Sequence, residues 1–314
     1  MNAIHSHVLD TIGNTPLVAL RHIVPDNGTR ILLKLESDNP TGSMKDRMAL
    51  AMIEAAEEDG RLTRGGFVVE YTGGSTGVSL ALVCAVKGYP LRIVTSDAFA
   101  REKLDHMAML GARLDVVESD GGRMTEQLTR DMVAAAGRIA EAPGAFWTDQ
   151  LENPDPMVAY NRMGEEIWTQ TGGRVDAFVQ SVGTAGSIRG VGEALRRRDE
   201  GVRVVAVEPA ESAVLSGGPT GAHKIDGVGA GFVVPLWHEG VADTIERVST
   251  EEAMAMARRL AREEGLFGGT STGANIVAAL RVAESLNPGS TIVSVLCDSG
   301  MKYLSTPLVE GLLR

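Results

Sequence analysis

Asn39-Pro40-Thr41-Gly42-Ser43-Met44-Lys45-Asp46-Arg47 sets a lysine at the end of a turn-forming run. Proline fixes φ, and glycine accepts backbone angles that other residues avoid. The run follows Ile31–Leu35, an apolar strand pattern, and precedes Met48–Ile53, a helical one. Lys45 therefore stands where a loop becomes a helix. The positive end of the helix dipole disfavours an ammonium at such a place, and burial disfavours it further. A neutral lysine amine is the nucleophile that an imine-forming enzyme needs. Taken alone, a lysine in a first helical turn is more simply a solvated surface residue.

Three small-residue loops carry the next chemistry. Gly183-Thr184-Ala185-Gly186-Ser187 lies between a strand ending near Gln180 and a helix beginning near Ile188. A glycine-rich turn there points main-chain N–H groups and the helix dipole at an anion. The hydroxyls of Thr184 and Ser187 add donors, although an ordinary strand-to-helix turn also favours small residues. No Gly-Lys-Ser/Thr follows, so this is not a nucleotide P-loop, and no spaced third glycine with a later acid marks a dinucleotide site. Thr72-Gly73-Gly74-Ser75-Thr76-Gly77 repeats the arrangement and could hold a carboxylate by the same physics. Gly269-Thr270-Ser271-Thr272-Gly273-Ala274 opens a third helix.

Two of these loops also fit Gly-x-Ser-x-Gly, the nucleophile elbow of serine hydrolases. Two matches in one chain show how little that pattern discriminates. A triad would need a later acid and then a histidine, such as Asp176 and His223, and nothing local marks either.

The elements that must position these loops alternate. Strand patterns at 67–71, 91–95, 113–117, 175–180, 202–207 and 291–296 are separated by helical ones. The helices are expected at 78–87, 102–110, 124–140, 155–170, 188–198, 251–264 and 274–286. Thr11–Leu17 reads as a turn entering a short strand. Such alternation predicts an α/β fold with parallel-rich sheets and helices on both faces. Asn153-Pro154-Asp155-Pro156 is a plausible lobe boundary. Arg196–Glu200 is most simply a solvated helix end.

The chain has 314 residues, enough for two lobes with their own cores, and its composition is that of a globular protein. A formal charge of −11 argues against nucleic acid or an anionic membrane as partner. No run approaches bilayer length, and the N-terminus lacks a basic-then-apolar leader pattern. Cys84 and Cys297 each lie in an apolar run, so two buried, unpaired thiols in a reducing cytoplasm are expected. Neither has a metal-ligand spacing with a histidine, so no metal is expected.

From about Thr11 to about Leu304, these motifs in this order resemble fold-type II pyridoxal-phosphate enzymes of the cysteine synthase and cystathionine β-synthase family. The lysine segment matches that family's Asn-Pro-x-Gly-Ser-x-Lys-Asp-Arg, and Thr11–Leu17 matches its Ile-Gly-x-Thr-Pro-Leu. The resemblance implies that Lys45 carries pyridoxal 5'-phosphate as a Schiff base and is catalytic. It implies a phosphate cup at Gly183, Thr184, Ala185, Gly186 and Ser187, with Ala185 replacing a family glycine. Thr72, Gly73, Gly74, Ser75, Thr76 and Gln150 become the substrate-binding set, holding an α-carboxylate. Gly73 stands where the family has serine, leaving more room beside the substrate. Ser75 stands where it has an asparagine that bonds the cofactor's phenolic oxygen. Ser271 becomes the residue facing the ring nitrogen, and a hydroxyl there suits β-elimination over transamination. His223–Phe232 resembles a loop at the site's mouth, with His223 and Lys224 read as exposed. Asp298–Leu304 resembles the C-terminal signature near the ring nitrogen.

The implied fold has two lobes. Residues 1–45 and 151–314 form the cofactor-binding one, and 46–150 form a smaller one that closes on the substrate. The implied activity is β-replacement on an O-activated L-serine, O-acetylserine first, by sulfide or another thiol. A cystathionine β-synthase-like condensation, another nucleophile, a serine or threonine dehydratase, or more distantly a serine hydrolase are the alternatives. The resemblance also implies a cytoplasmic homodimer, with serine acetyltransferase as a partner of some relatives.

Overall fold

The computed structural model describes residues 4–122 and 125–310. Its strands form two sheets. The larger is built from β1 (Leu17–Ala19), β2 (Arg30–Leu35), β7 (Ala177–Ser181), β8 (Arg203–Pro209), β9 (Thr244–Val248) and β10 (Thr291–Leu296). Their spatial order is β1-β2-β10-β7-β8-β9. Only β1 runs antiparallel, pairing Val18 with Leu33. The smaller sheet, of β3 (Phe67–Tyr71), β4 (Leu91–Ser96), β5 (Arg113–Val117) and β6 (Ala145–Trp147), is parallel throughout in the order β5-β4-β3-β6. Strand β10 is buried along its whole length, as a central parallel strand covered on both faces must be.

Helices α1 (Lys45–Asp59), α2 (Ser75–Lys87), α3 (Arg101–Met109), α4 (Glu126–Ala140), α5 (Pro156–Gln170), α6 (Gly186–Arg198), α7 (Thr250–Arg259) and α8 (Thr270–Ser285) cover the sheets. Met124, where the sequence starts the fourth of these, lies outside the described residues, as do Met1–Ala3. Helix α1 ends at Gly60 with φ +82°, a left-handed C-cap that glycine adopts without steric cost. Helix α7 opens on a capping box between Ser249 and Glu252 and continues as a π-helical turn over Leu260–Glu264. One apolar cluster joins α1, α2, α5 and α6 under both sheets, and a second fills the other face of the larger sheet.

Strands β6 and β9 were not expected from sequence. Ala145–Trp147 is too short to show alternation, and Thr-Ile-Glu-Arg-Val carries two charges because it is an edge strand. Helices α2 and α8 begin three and four residues earlier than the apolar pattern suggests, at Ser75 and Thr270. The small polar residues of both loops are thus first helical turns. Both cysteines are buried and unpaired. Among the described residues, no helix is long and apolar enough to cross a membrane.

Candidate active site

The 72–77 and 183–187 loops follow the C-terminal ends of the parallel strands β3 and β7, which is where open α/β sheets bind ligands, whereas the 269–274 loop follows the π-helical turn at Leu260–Glu264. Ser43 bridges to Asp298, and the Met44 amide donates to the Cys297 carbonyl at 2.9 Å. That pairing lays the lysine loop along the segment leaving β10. Gly268 bridges to Ser299, and the Cys297 amide donates to Thr272 Oγ1 at 3.1 Å, which brings the start of α8 to the same place. The Gly229 amide donates to the Val182 carbonyl at 3.1 Å, and the Asp226 amide to Thr270 Oγ1 at 3.0 Å. The 183–187 loop, the 223–232 loop and the α8 start are therefore one cluster. Ser75 Oγ donates to Asp298 Oδ2 at 3.0 Å, tying in the 72–77 loop from the smaller sheet.

Lys45 is partly buried at the first position of α1. The residues around it hold the backbone, not its amine. The Asp46 carboxylate accepts from the Thr41 amide at 2.8 Å, from Thr41 Oγ1 at 2.5 Å and from Ser79 Oγ at 2.5 Å. Burial raises this carboxyl while those three bonds oppose the rise. Arg47 donates to both oxygens of Glu36 at 2.7 and 2.9 Å and of Glu166 at 2.8 and 2.7 Å. Lys34 adds an ion pair to Glu166 at 2.7 Å. Burial works against Glu166, but the bonds from Arg47 and Lys34 prevail and take its carboxyl down to about 2. Sequence reading valued Asp46 and Arg47 only as parts of a motif. Here they are the clamp that fixes where Lys45 leaves the chain, and the acid-base pair following the lysine was the available signal.

The phosphate-cup candidate opens α6. Ala185 has φ +69° and is buried, so a residue with a Cβ sits in the left-handed region at the helix start. Ser187 Oγ accepts from Gln180 Nε2 at 2.8 Å. A Cβ on Gly183 would lie 2.5 Å from the Gly227 carbonyl, so glycine is required by close approach. Thr76 Oγ1 donates to Gln150 Oε1 at 2.8 Å, and the Gln150 main-chain N–H donates to Glu70 Oε2 at 3.1 Å. Glu70 is fully buried; desolvation pushes its carboxyl up to about 7 against bonds from Thr148, Gln150 and Tyr71. Ser271 is buried beside Cys297. Burial pushes the Cys297 thiol up to about 11, with Asp298 reinforcing the rise and Lys45 and Ser271 opposing it. Cys297 is thus a site residue that sequence reading placed only in an apolar run.

Two expectations need correction. The room left by Gly73 is filled, because a Cβ there would stand 1.8 Å from the ring of Phe99. His223 is half-buried, its Nε2 bonded to the Gly229 carbonyl at 3.1 Å, whereas Lys224 is exposed as read. The hydrolase triad cannot assemble. Asp176 sits before β7 and accepts from the Thr291 amide at 2.7 Å, while His223 follows β8, at the opposite end of the sheet. Among the described residues no cluster could hold a metal ion.

The residues fit a phosphorylated, carbonyl-bearing cofactor with an amino-acid substrate. Three helix N-termini, those of α2, α6 and α8, offer main-chain donors to anions around one lysine. Three buried polar atoms beside the cluster, Gln180 Oε1, Ser181 Oγ and Asp298 Oδ1, lack a protein partner. Residues 8–298 match the model of the family described as pyridoxal-phosphate dependent enzyme. A cysteine synthase of Staphylococcus aureus is 41% identical over 304 residues, 96% of each chain. O-acetyl serine sulfhydrylase isoform 3 from Entamoeba histolytica superposes with a TM-score of 0.91 at 42% identity, covering 98% of this chain and 92% of its own. An O-acetylserine dependent cystathionine beta-synthase from Helicobacter pylori gives 0.89 at 33%, covering 98% and 99%.

Proposed function

We infer the reaction from one premise: this chain belongs to the family of pyridoxal-phosphate dependent enzymes. Its activity is that of a cysteine synthase, β-replacement on O-acetyl-L-serine by sulfide, releasing acetate and forming L-cysteine. The observation that carries this reading is the convergence of Lys45 with the starts of α2, α6 and α8.

Bound pyridoxal phosphate supplies an electron-withdrawing ring that stabilises negative charge at the substrate Cα. Lys45 would hold the cofactor, and its amine is the group that would take the substrate Cα proton as general base. Gly183–Ser187 would hold the phosphate, and Ser271 would serve the ring nitrogen. Thr72, Gly73, Gly74, Thr76 and Gln150 hold the α-carboxylate, oriented by the Thr76–Gln150 bond. The Ser75 hydroxyl has a single proton, which Asp298 takes; bonding the cofactor's phenolic oxygen would require breaking that contact.

Residues 46–150 form the lobe that moves to close the site, against a lobe of 1–45 and 151–314. The Ser75–Asp298 bond, the Lys103–Asp226 ion pair at 3.5 Å and the Ser305–Glu102 bonds span the two. The enzyme works as a homodimer in the cytoplasm, where Cys84 and Cys297 stay reduced. Incubation with O-acetyl-L-serine and sulfide should yield L-cysteine in the wild type and none in Lys45→Ala. Cysteine formation by Lys45→Ala at the wild-type rate would overturn the assignment.

A further inference from the structure

Gly73 is a glycine for a reason outside its own backbone. Its φ lies outside the left-handed region, so another residue could adopt the same conformation. A Cβ at 73, however, would meet both Cγ and Cδ2 of Phe99 at 1.8 Å and Cδ1 at 2.4 Å. Cγ is held by the Phe99 backbone through one carbon, so the ring cannot slide away without leaving its rotamer. At the next position the contrast is plain: a Cβ on Gly74 meets only Thr72 Oγ1, at 3.9 Å.

Phe99 sits in the turn between β4 and α3, its amide donating to the Ser96 carbonyl at 3.3 Å. Its ring packs on the apolar cluster of Val69, Val94 and Met132 behind the smaller sheet. One edge is thus anchored in a core while the ring body lies across the loop that opens α2.

We propose that Phe99 determines the amino-acid specificity of this site. Its ring occupies the volume that a side chain at 73 would take, closes the space that glycine would otherwise leave, and confines the substrate to small side chains. The α-carboxylate is then gripped by main-chain N–H groups and the Thr72 hydroxyl, which accepts from the Gly74 amide and keeps its own proton to donate, beside an apolar wall. Water is excluded there, and hydrogen bonds to a charged group strengthen as the local dielectric falls. This rests on the reading of Thr72–Thr76 as the carboxylate loop, but not on the identity of the leaving group or nucleophile.

The test is a cycle of Gly73→Ser, Phe99→Ala and the double variant, each loaded with cofactor. Dissociation constants for L-alanine and L-leucine are read from the change in the visible band, and unfolding midpoints are read without amino acid. Phe99→Ala should improve binding of L-leucine relative to L-alanine at least tenfold. Gly73→Ser should lower the midpoint and weaken L-alanine at least tenfold, and both effects should largely vanish in the Phe99→Ala background. An unchanged leucine-to-alanine ratio in Phe99→Ala overturns the proposal. So do equal effects of Gly73→Ser in both backgrounds, or no response of the wild type to L-alanine. If Gly73→Ser does not fold, the ratio in Phe99→Ala decides alone. Failure of the wild type to turn over O-acetyl-L-serine, with these binding results intact, falls on the reaction and not on Phe99.

Discussion

Ser75 Oγ and Asp298 Oδ2 are 3.0 Å apart, and the same carboxylate oxygen accepts from Tyr303 OH at 2.6 Å. The first bond joins the turn after β3 to the segment after β10, two parts of the chain on different sheets. Ser75 therefore has a local partner of its own. Removing it in Ser75→Ala should lower stability by about 1.5–3 kcal/mol, the range for a hydrogen bond to a charged acceptor. Cofactor affinity should stay within about twofold, because the hydroxyl proton is spent on Asp298. Unfolding and cofactor titration measure both; a cofactor loss above tenfold would show that Ser75 serves the cofactor directly.

Acid should attack the clamp behind Lys45. Glu166 has its carboxyl lowered from the ordinary 4.5 to about 2. A depressed acid contributes stability above its unfolded value, and that contribution fades as pH falls from about 4.5 through about 2. Glu166→Gln should therefore cost on the order of 3 kcal/mol at neutral pH, with the gap to wild type closing as pH falls through that window. Denaturant unfolding across the range reads the difference; a gap independent of pH would contradict the ion-pair account.

Ala185 is the residue whose own conformation is unfavourable. An L-residue in the left-handed region carries a cost of about 1–2 kcal/mol that glycine does not. Ala185→Gly should raise thermal stability by about 1 kcal/mol on that scale, less the entropy glycine recovers in the unfolded chain. Its cofactor affinity should be equal to or better than wild type. A destabilised variant would mean that the Ala185 methyl, buried in the core, matters more than its φ.

Gln150 should act on binding rather than on the chemical step. Its side-chain amide accepts from Thr76 Oγ1 and donates to the Tyr71 carbonyl at 3.4 Å, and its main-chain N–H is held by Glu70. Gln150→Ala should raise KM for O-acetyl-L-serine about tenfold with kcat changed less than threefold, the pattern of a lost uniform contact. Steady-state kinetics decide; a fall in kcat at constant KM would move Gln150 into the transition state.

Much of the fold was legible because buried parallel strands write themselves as β-branched runs, as in Phe67–Tyr71 and Thr291–Leu296. The site was legible because its three glycine loops each open a helix, two of them directly after a parallel strand. What escaped depends on contacts between distant residues. Gly73 reads as empty space until Phe99, 26 positions later, is seen lying on it. Asp46 and Arg47 acquire meaning only when Ser79 and Glu166 reach them. Cys297 looks like any apolar-run cysteine until β10 carries it beside Ser271. The Asp176–His223 pairing was open in sequence and closed by topology, since the strands put the two at opposite ends of one sheet.

The central claim is that Lys45 is the group through which cofactor and substrate chemistry pass. The most direct test is the visible absorption spectrum of the purified protein with pyridoxal phosphate, before and after O-acetyl-L-serine, beside Lys45→Ala. The account predicts a cofactor band in the wild type that shifts on adding substrate and returns on adding sulfide as cysteine forms. In Lys45→Ala the wild-type band and its cycle should be lost. A wild type without a cofactor band after loading, or a Lys45→Ala variant that cycles as the wild type does, would contradict it.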